Sequence, residues 1–589
     1  MYSLMIKALR LLQIILFLFV FIFAEGKNKV VLNSNRDIQQ QLAAANTTYL
    51  VKRTINLHGK TVSIPESSVV EFSRKGKIVN GVIIGNNTLL KGNVQLSTEM
   101  VGTFCNDEIP VSWLCVSDRT LLSRQIASIF NLDKPCVVKL DKDIIMDGSR
   151  KEVNYVSVSG KKRIENSCRY KVGGNVSLHG VSFTGFESFG ELFLDLRAIP
   201  QAVTIDISDI HFDGCWNTSR FLYCPYKKIE DLSTINISSS TFTRVKNYVI
   251  QFRPLCTGII HNNRFEEVGT DEFSNVIGLN LGDSSDDEDR LCANGFEISK
   301  NVFKDFRVPY NDKDDGREAH AILIYGYRNK IRENQIINFY STQTANGDPG
   351  RDCEGIYLKG GDNVVENNYL GDCVGSTPDG AITAKSNRSN NRIAGNTIRH
   401  KFGIGIQCYT PNSVIENNKV ISGQNAKAGL EMARNFGSTI RNNEFEAASG
   451  KEYHSAVALV SCEGISITGN QFNNTSCILT TYKSMGKITF DNNEVNLSGM
   501  IYGTNTYYTS PFELHDDTAE YVMNNNSFTM KGVRTSQLVK APEGFKGRVL
   551  LKANELHLED SNEVQSSMTY LVRNGRTRIF PWLTSTDHA

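Results

Sequence analysis

The sequence lacks an excess of charge of either sign. Lysine and arginine together number 64, and aspartate and glutamate together number 63. Because these charges nearly cancel, no overall field favours binding to nucleic acid or to an anionic membrane. We therefore expect no nucleic-acid partner, and charge-based binding has to come from local clusters.

Long apolar runs are absent after the N-terminus. The one such run, Leu11–Ala24, is interrupted by Gln13 and preceded by Lys7 and Arg10. It is too short to span a bilayer comfortably and has the layout of a secretory signal. We predict a cleaved signal peptide at residues 1–24, no transmembrane segment after cleavage, and a protein that is secreted, periplasmic or at the cell surface. An uncleaved N-terminal anchor is the alternative.

The thirteen cysteines include no CxxC pair, which excludes a zinc ribbon. Their odd number and scattered positions also argue against a compact disulfide framework. Cys353 with Cys373, or Cys215 with Cys224, could bridge neighbouring repeats. The alternative is that most cysteines are buried small apolar residues.

A repeated pattern fills most of the chain. Its form is apolar–x–apolar–x–x–Asn–x–apolar, and successive repeats end 22 to 38 residues apart. Such a period is about one coil of a parallel β-helix. The asparagine can take the left-handed conformation of a tight corner, and its amide can bond to the asparagine of the next coil. The repeats end at Phe183, Phe212, Phe242, Phe265, Phe303, Ile336, Leu370, Ile398, Val420, Phe445, Phe472, Val495, Phe528 and Leu556.

This pattern resembles the right-handed parallel β-helix proteins of the pectate-lyase-like superfamily, and the resemblance supplies the handedness. The predicted fold class is all-β, a right-handed parallel β-helix with short N-terminal helix caps. Capped helices are predicted at residues 33–45 and 117–131. The predicted division is a β-rich segment at 25–110, a helix-containing cap at 111–154, the β-helix at 155–560, and a C-terminal cap or tail at 561–589.

Candidate site residues lie on strands that begin near Gly355, Gly380, Gly403, Gly429 and Ala456. Alignment on these positions predicts that Lys385, Cys408, Arg434 and Ser461 share one column at the strand ends. Lys385 and Arg434 would then lie two coils apart, roughly 10 Å at the spacing of neighbouring strands. The same alignment places Tyr357, Lys359, Gln407 and Glu431 on the outward face.

A sugar ring would fit between Lys385 and Arg434, and this arrangement suits β-elimination from an acidic polysaccharide. That reaction needs a base for the proton α to a uronate carboxylate and a cation that neutralises the carboxylate. Lysine beside another cation is a reasonable base. The predicted catalytic residues are Lys385, Arg434 and Glu431.

The segment ITAKS (Ile382–Ser386), followed by Gly395–Thr397 and Gly403, looks like the core motif of the alginate lyase/chondroitinase B family. The resemblance implies that Lys385 is the base and that carboxylates just before it bind calcium. Asp379 lies near the carboxylate positions, whereas the family's arginine position falls at Gln407 and Cys408.

Three acidic loops precede or adjoin these strands, at residues 282–290, 311–318 and 346–354. Clustered carboxylates suit Ca²⁺, although acidic loops are often simply solvated. The predicted ligands are Asp352, Glu354 and Asp379.

The predicted substrate-binding residues are Tyr357, Lys359, Gln407, Tyr409 and His320, with aromatic rings stacking on sugars. Two other functions stay open. One is glycoside hydrolysis by a carboxylate pair drawn from Asp352, Glu354, Asp379 and Glu431. The other is a non-catalytic, adhesive surface protein that binds glycans. We expect a monomer.

Overall fold

The structure is a computed structural model whose described residues fall into two compact units that divide after Cys215. The described residues are 28–185, 192–269, 274–279, 292–308, 319–341, 353–374, 380–447, 455–503, 506, 508–515, 518–535, 537–541, 545, 547–559, 570–573 and 576–579. The predicted signal peptide lies outside them. In the described part of the chain, no helix is long and apolar enough to cross a membrane.

The first unit contains the helices. The α-helix Arg119–Ile129 begins two residues after its predicted start, because the Asp118 side chain accepts a hydrogen bond from the Leu121 amide and caps it. Gln125 on its buried face donates to the backbone oxygens of Leu96 and Thr98, which fixes it against a strand. The helix predicted at residues 33–45 is shorter in the structure and spans Ile38–Gln41, and a 3₁₀ helix forms at Val111–Trp113.

The described strands of the first unit pair in parallel, as in Asn28–Val31 with Thr47–Val51. Parallel pairing starts well before residue 155, because Glu108–Pro110 already pairs with Val137–Lys139. The strands of this unit are Asn28–Val31, Thr47–Val51, Thr54–Asn56, Thr61–Ser63, Val69–Phe72, Lys77–Gly92, Leu96–Phe104, Glu108–Pro110, Val137–Lys139, Ile144–Ile145, Arg150–Val153, Val156–Ser159, Arg163–Glu165, Arg169–Val172, Val176–His179, Ser182–Thr184, Leu192–Asp195, Thr204–Ser208 and His211–Asp213.

The second unit winds through three parallel sheets, which we call the first, second and third sheet in the order that each coil meets them. The first sheet is Ser233–Ser238, Cys256–His261, Glu297–Ser299, Lys330–Arg332, Val364–Glu366, Arg392–Ala394, Val414–Glu416, Thr439–Arg441, Ser466–Thr468, Lys487–Asp491, Glu520–Asn524 and Arg548–Lys552. The second sheet is Thr241–Thr243, Arg264–Glu266, Val302–Val308, Gln335–Ser341, Tyr369–Val374, Glu444–Ala447, Gln471–Asn473, Glu494–Ser498, Ser527–Lys531 and Glu555–Glu559.

The third sheet carries the strands that were predicted to bear the site. It consists of Arg220–Cys224, Tyr248–Phe252, Ser274–Leu279, Ala319–Tyr325, Cys353–Lys359, Gly380–Ala384, Ser455–Val460, Cys477–Tyr482, Phe512–His515 and Val539–Lys540. Two long strands, Thr397–Cys408 and Lys419–Ala433, run through both the second and the third sheet. A separate antiparallel hairpin joins Tyr570–Arg573 to Arg576–Ile579.

The apolar residues at which the sequence repeats end form one column in the second sheet. Phe242, Phe265 and Phe303 are aligned in neighbouring strands, with ring centroids 5.4 and 4.9 Å apart and nearly parallel planes. The column continues through the repeat ends from Ile336 to Leu556, and all but the last are buried. Burial of one large apolar side chain per coil stabilises the stack by roughly 1.5–3 kcal/mol each.

The asparagine ladder is also present. The sequence pattern assigned the left-handed corner and the hydrogen bond to the next coil to one asparagine, but two adjacent residues provide them. The first takes the left-handed conformation, as Asn417 does with φ 54°, and in other coils Lys300, Gly395 or Ala553 does the same. The second is the ladder asparagine, which is buried and bonds to the asparagine of the next coil. The ladder runs through Asn263, Asn301, Asn334, Asn368, Asn396, Asn418, Asn443, Asn470, Asn493, Asn526 and Asn554.

Candidate functional site

The outward face of the third sheet carries two rows of side chains. Along each strand these side chains alternate with apolar side chains that point into the core. The inner row is Tyr357, Thr383, Gln407, Glu431, Ala458, Thr480 and Glu513, each aligned with the next in neighbouring strands. The outer row, two residues further along each strand, is Tyr325, Lys359, Lys385, Tyr409, Ala433, Val460, Tyr482 and His515. These two rows contain most of the predicted site residues.

The cations of the outer row lie over tyrosine rings. Lys359 Nζ is 4.9 Å from the ring centroid of Tyr325. Lys385 Nζ lies between two rings, 5.8 Å from the centroid of Tyr357 and 5.9 Å from that of Tyr409. Contact with a ring face favours a cation electrostatically, so these tyrosines hold both ammonium groups at the sheet surface.

Gln407, Tyr409 and Glu431 form one hydrogen-bonded cluster. The Tyr409 hydroxyl donates to Glu431 Oε1 at 2.5 Å. Gln407 Nε2 donates to the Tyr409 oxygen at 2.9 Å and to the same Glu431 oxygen at 3.3 Å. Because Gln407 and Glu431 are buried, this network fixes the position of the Tyr409 hydroxyl.

His320 and Glu354 lie deeper, at the start of neighbouring strands. Their side chains are 2% and 1% exposed, and His320 Nε2 is 2.6 Å from Glu354 Oε2. The His320 ring meets the Tyr357 ring edge-on, with centroids 5.1 Å apart. His320, which was predicted to bind substrate, is thus buried beneath Tyr357 and contacts its ring.

The predicted column of Lys385, Cys408, Arg434 and Ser461 is wrong in its register. Ala384 is the residue aligned with Cys408, so Lys385 lies across from Tyr409, and Cys408 points into the core. Burial raises the pKa of the Cys408 thiol, which removes it as a nucleophile. Arg434 is two coils from Lys385 as predicted, but it lies one residue beyond the row, exposed on the corner with φ 49°.

The error arose from aligning Gly380 and Gly403 with Gly355. The structure aligns Ile382 with Ile356 and Ile406 with Ile382, so Thr383 lies on the outward face beside Tyr357 and Gln407. Alignment on the alternating pair of buried residues in each strand, such as Ile356 and Leu358, would have found it. The same alignment would have found Tyr482 and His515 at the far end of the outer row.

Of the three predicted calcium ligands, only Glu354 lies among the described residues. Its carboxylate is buried against His320, a poor fit to a hard cation that needs several oxygen ligands. Asp352, Asp379 and most of the acidic loops fall outside. Within the described ranges, no group of three His, Cys, Asp or Glu side chains could hold a metal ion.

The chain was compared with curated proteins and with solved structures. No curated protein matches it. The periplasmic alginate epimerase AlgG is 12% identical, with 60% of this chain and 76% of that chain covered and a TM-score of 0.30. The A-module of the Azotobacter vinelandii mannuronan C-5 epimerase AlgE6 is 11% identical, with 71% and 90% covered and a TM-score of 0.29. The alginate lyase AlyF-OU02, in a complex with G6, is 14% identical, with 83% and 92% covered and a TM-score of 0.30.

A family model supplies the handedness that strand pairing and periodicity do not fix. The model described as "Right handed beta helix region" matches residues 229–456 and 320–495, which lie within the second unit. These residues include most strands of the three parallel sheets, most of the asparagine ladder and the candidate site. The fold of the chain is therefore a right-handed parallel β-helix.

Proposed function

We propose that this is an exported enzyme that binds an acidic polysaccharide on the third sheet and cleaves it by β-elimination. The observation that carries the proposal is the pair Lys359 and Lys385, adjacent in the outer row and set among tyrosine rings. A core of stacked apolar residues has no need of them. Two neighbouring cations beside aromatic rings suit a sugar that carries a carboxylate.

In the proposed reaction the neutral form of Lys385, which repulsion from the neighbouring Lys359 ammonium favours against the attraction of the tyrosine rings, removes the proton α to the uronate carboxylate. The electrons of that C–H bond form a carbon–carbon double bond, and the bond to the glycosidic oxygen breaks. Tyr409 lies across from Lys385 and gives its hydroxyl proton to the leaving oxygen, after which the new ammonium group returns a proton to it. Lys359 neutralises the carboxylate of the reacting sugar, and Glu431 positions the Tyr409 hydroxyl. Arg434 lies three strands from Lys359 and would contact the carboxylate of a neighbouring sugar.

Among the described residues of the third sheet, the outward carboxylates are spaced too widely for glycoside hydrolysis. Glu431 and Glu513 lie in one row, three strands apart, which is about 14 Å at the spacing of neighbouring strands. Glycoside hydrolases hold their two carboxyl groups about 5–9.5 Å apart. Glu354, which with Glu431 belongs to the predicted carboxylate pairs, already contacts His320 through its Oε2.

The test is incubation with alginate, polygalacturonate and hyaluronan, with ultraviolet absorbance reporting the unsaturated sugar and a separate assay reporting new reducing ends. Loss of a general base lowers the rate by about 10²- to 10⁴-fold, so Lys385→Ala should lose at least a hundredfold. Lys487→Ala is the matched control, because Lys487 is exposed on the first sheet. It should retain full activity.

Each alternative gives its own result in these assays. Full activity of Lys385→Ala would show that the assigned base is wrong. New reducing ends without absorbance would indicate a hydrolase, and binding without any product would indicate an adhesive glycan-binding protein. A parallel incubation with EDTA tests the predicted calcium, which no step above requires.

A further inference from the structure

The outer row continues beyond the proposed catalytic residues to an exposed pair of rings. Tyr482 is aligned with Val460 on one side and with His515 on the other. The Tyr482 side is open to solvent, with 41% of the residue exposed. Its ring lies flat against His515, with centroids 4.7 Å apart and planes 7° apart.

Buried polar contacts hold this pair in place. His515 Nε2 lies 3.3 Å from Glu513 Oε2, and Glu513 Oε1 accepts hydrogen bonds from the Thr509 amide at 2.5 Å and hydroxyl at 2.9 Å. Lys540 Nζ donates to the Thr509 hydroxyl at 2.7 Å. Burial raises the pKa of Glu513, but hydrogen bonds from His515 and Thr509 outweigh it and lower the pKa to about 2. Glu513 therefore stays ionised and keeps the His515 ring fixed.

Between Tyr409 and Tyr482 the outer row carries only small side chains. These are Ala433 and Val460, which project less from the sheet than the tyrosines on either side. Tyr482 lies four strands from Lys385, about 19 Å at the spacing of neighbouring strands. An extended chain of several sugars that follows the solenoid axis would touch both ends, whereas a trisaccharide is too short.

We propose that Tyr482, backed by His515, is a distal subsite that stacks on the apolar face of a sugar ring in the same acidic polysaccharide chain. The proposal rests on the function proposed above and adds a requirement for substrate length. Binding energy gained at a remote subsite supports the reaction only for chains that reach it. Tyr482 is therefore a binding residue for long chains and takes no part in the chemical step.

The experiment compares Tyr482→Ala with the unaltered protein on alginate, polygalacturonate and hyaluronan and on the matching trisaccharides. Both the dissociation constant and kcat/KM are measured. An aromatic contact of this kind corresponds to about five- to tenfold in binding. On the polymer, Tyr482→Ala should therefore raise the dissociation constant and lower kcat/KM by that factor. On the trisaccharides, both quantities should stay unchanged. Tyr369→Ala is the matched control, since Tyr369 is an exposed tyrosine on the second sheet, and it should change neither.

Unchanged polymer values for Tyr482→Ala, or equal losses on polymer and trisaccharide, would overturn the distal subsite. If Lys385→Ala stays fully active while Tyr482→Ala weakens binding of the polymer but not of the trisaccharide, the catalytic assignment fails and the subsite stands. Failure of the unaltered protein to bind any of the three polymers overturns both. Equal thermal unfolding midpoints for the two tyrosine variants would show that the effect is not one of stability.

Discussion

Removal of one ladder asparagine should destabilise the solenoid far more than removal of its neighbour. The Asn418 side chain makes four hydrogen bonds: its Nδ2 donates to Asn443 Oδ1 and Ile393 O, and its Oδ1 accepts from the backbone N–H and the Nδ2 of Asn396, all at 2.9 Å. Asn417, the residue before it, is exposed on the same corner. The pair Asn418→Ala and Asn417→Ala therefore separates the ladder from the corner.

The expected magnitudes follow from these contacts. A hydrogen bond contributes about 1 kcal/mol net, so loss of four in a buried corner should lower the free energy of unfolding by about 4 kcal/mol. In Asn417→Ala, alanine has to adopt the left-handed conformation at a cost of about 1 kcal/mol. Ala553 takes this place in another coil with φ 52°, so the corner accepts alanine without rearrangement.

The assay is denaturant unfolding of both variants, combined with hydrogen exchange of the strands Arg392–Ala394, Val414–Glu416 and Thr439–Arg441. Each coil contacts only its neighbours, so faster exchange should be confined to these strands in Asn418→Ala. Equal destabilisation of the two variants would refute the reasoning, because the left-handed corner would then be the stabilising element. Faster exchange spread evenly along the second unit would refute the local character of the ladder.

Two further predictions concern buried titratable groups. His400 is buried, with its ring nitrogens bonded to Phe402 O and Ser422 Oγ, and burial lowers its pKa from 6.5 to about 4. The unfolded chain gains the proton first on acidification, so the free energy of unfolding should fall by about 2 kcal/mol between pH of about 7.5 and about 5, as measured by denaturant titration. His400→Gln should lack that fall, and an equal fall in the variant would contradict the assignment. Glu416 lies between Arg392 and Arg441 at 2.7 Å from each. Its burial raises the pKa, but the two arginines hold the pKa below its usual range. Glu416→Gln should lower the free energy of unfolding by about 1–3 kcal/mol above pH of about 4.5, and by less as the pH falls through the lowered pKa. The control is Glu520→Gln, which removes the more exposed ion pair of Glu520 with Arg548 and should cost under about 1 kcal/mol. Equal losses in the two glutamate variants would contradict this account.

The second sheet could be predicted from the sequence almost residue by residue. Every coil there places one large apolar residue three positions after its corner, as in Phe445 and Phe472, and a side chain buried among others of its kind leaves a clear pattern. The ladder asparagines were recognisable for the same reason. The conformation of each corner was assigned to the wrong residue of the pair, because Asn-Asn repeats such as Asn417 and Asn418 do not show which asparagine turns outward.

The third sheet was harder to predict because the glycines that begin its strands do not mark equivalent positions. Gly380 is aligned with Ile404 and not with Gly403, and a slip of one residue moves every side chain to the opposite face. Lys385, Gln407 and Glu431 could still be recognised as outward residues, since charged and polar residues in a buried strand stand out in any register. Their contacts, such as the hydrogen bond of Tyr409 to Glu431, depend on the register and were missed.

The sequence by itself determined that the chain stacks coils with an apolar column and an asparagine at each corner, because those features repeat along the chain. Only the tertiary structure decided which outward side chains meet. It aligned Lys385 with Lys359 and Tyr409, moved Arg434 to a corner, buried His320 against Glu354, and added Tyr482 and His515 to the same row. The physical reason is that a site on a solenoid is formed across coils, by residues more than twenty positions apart, so their contacts follow from strand register and leave no local pattern.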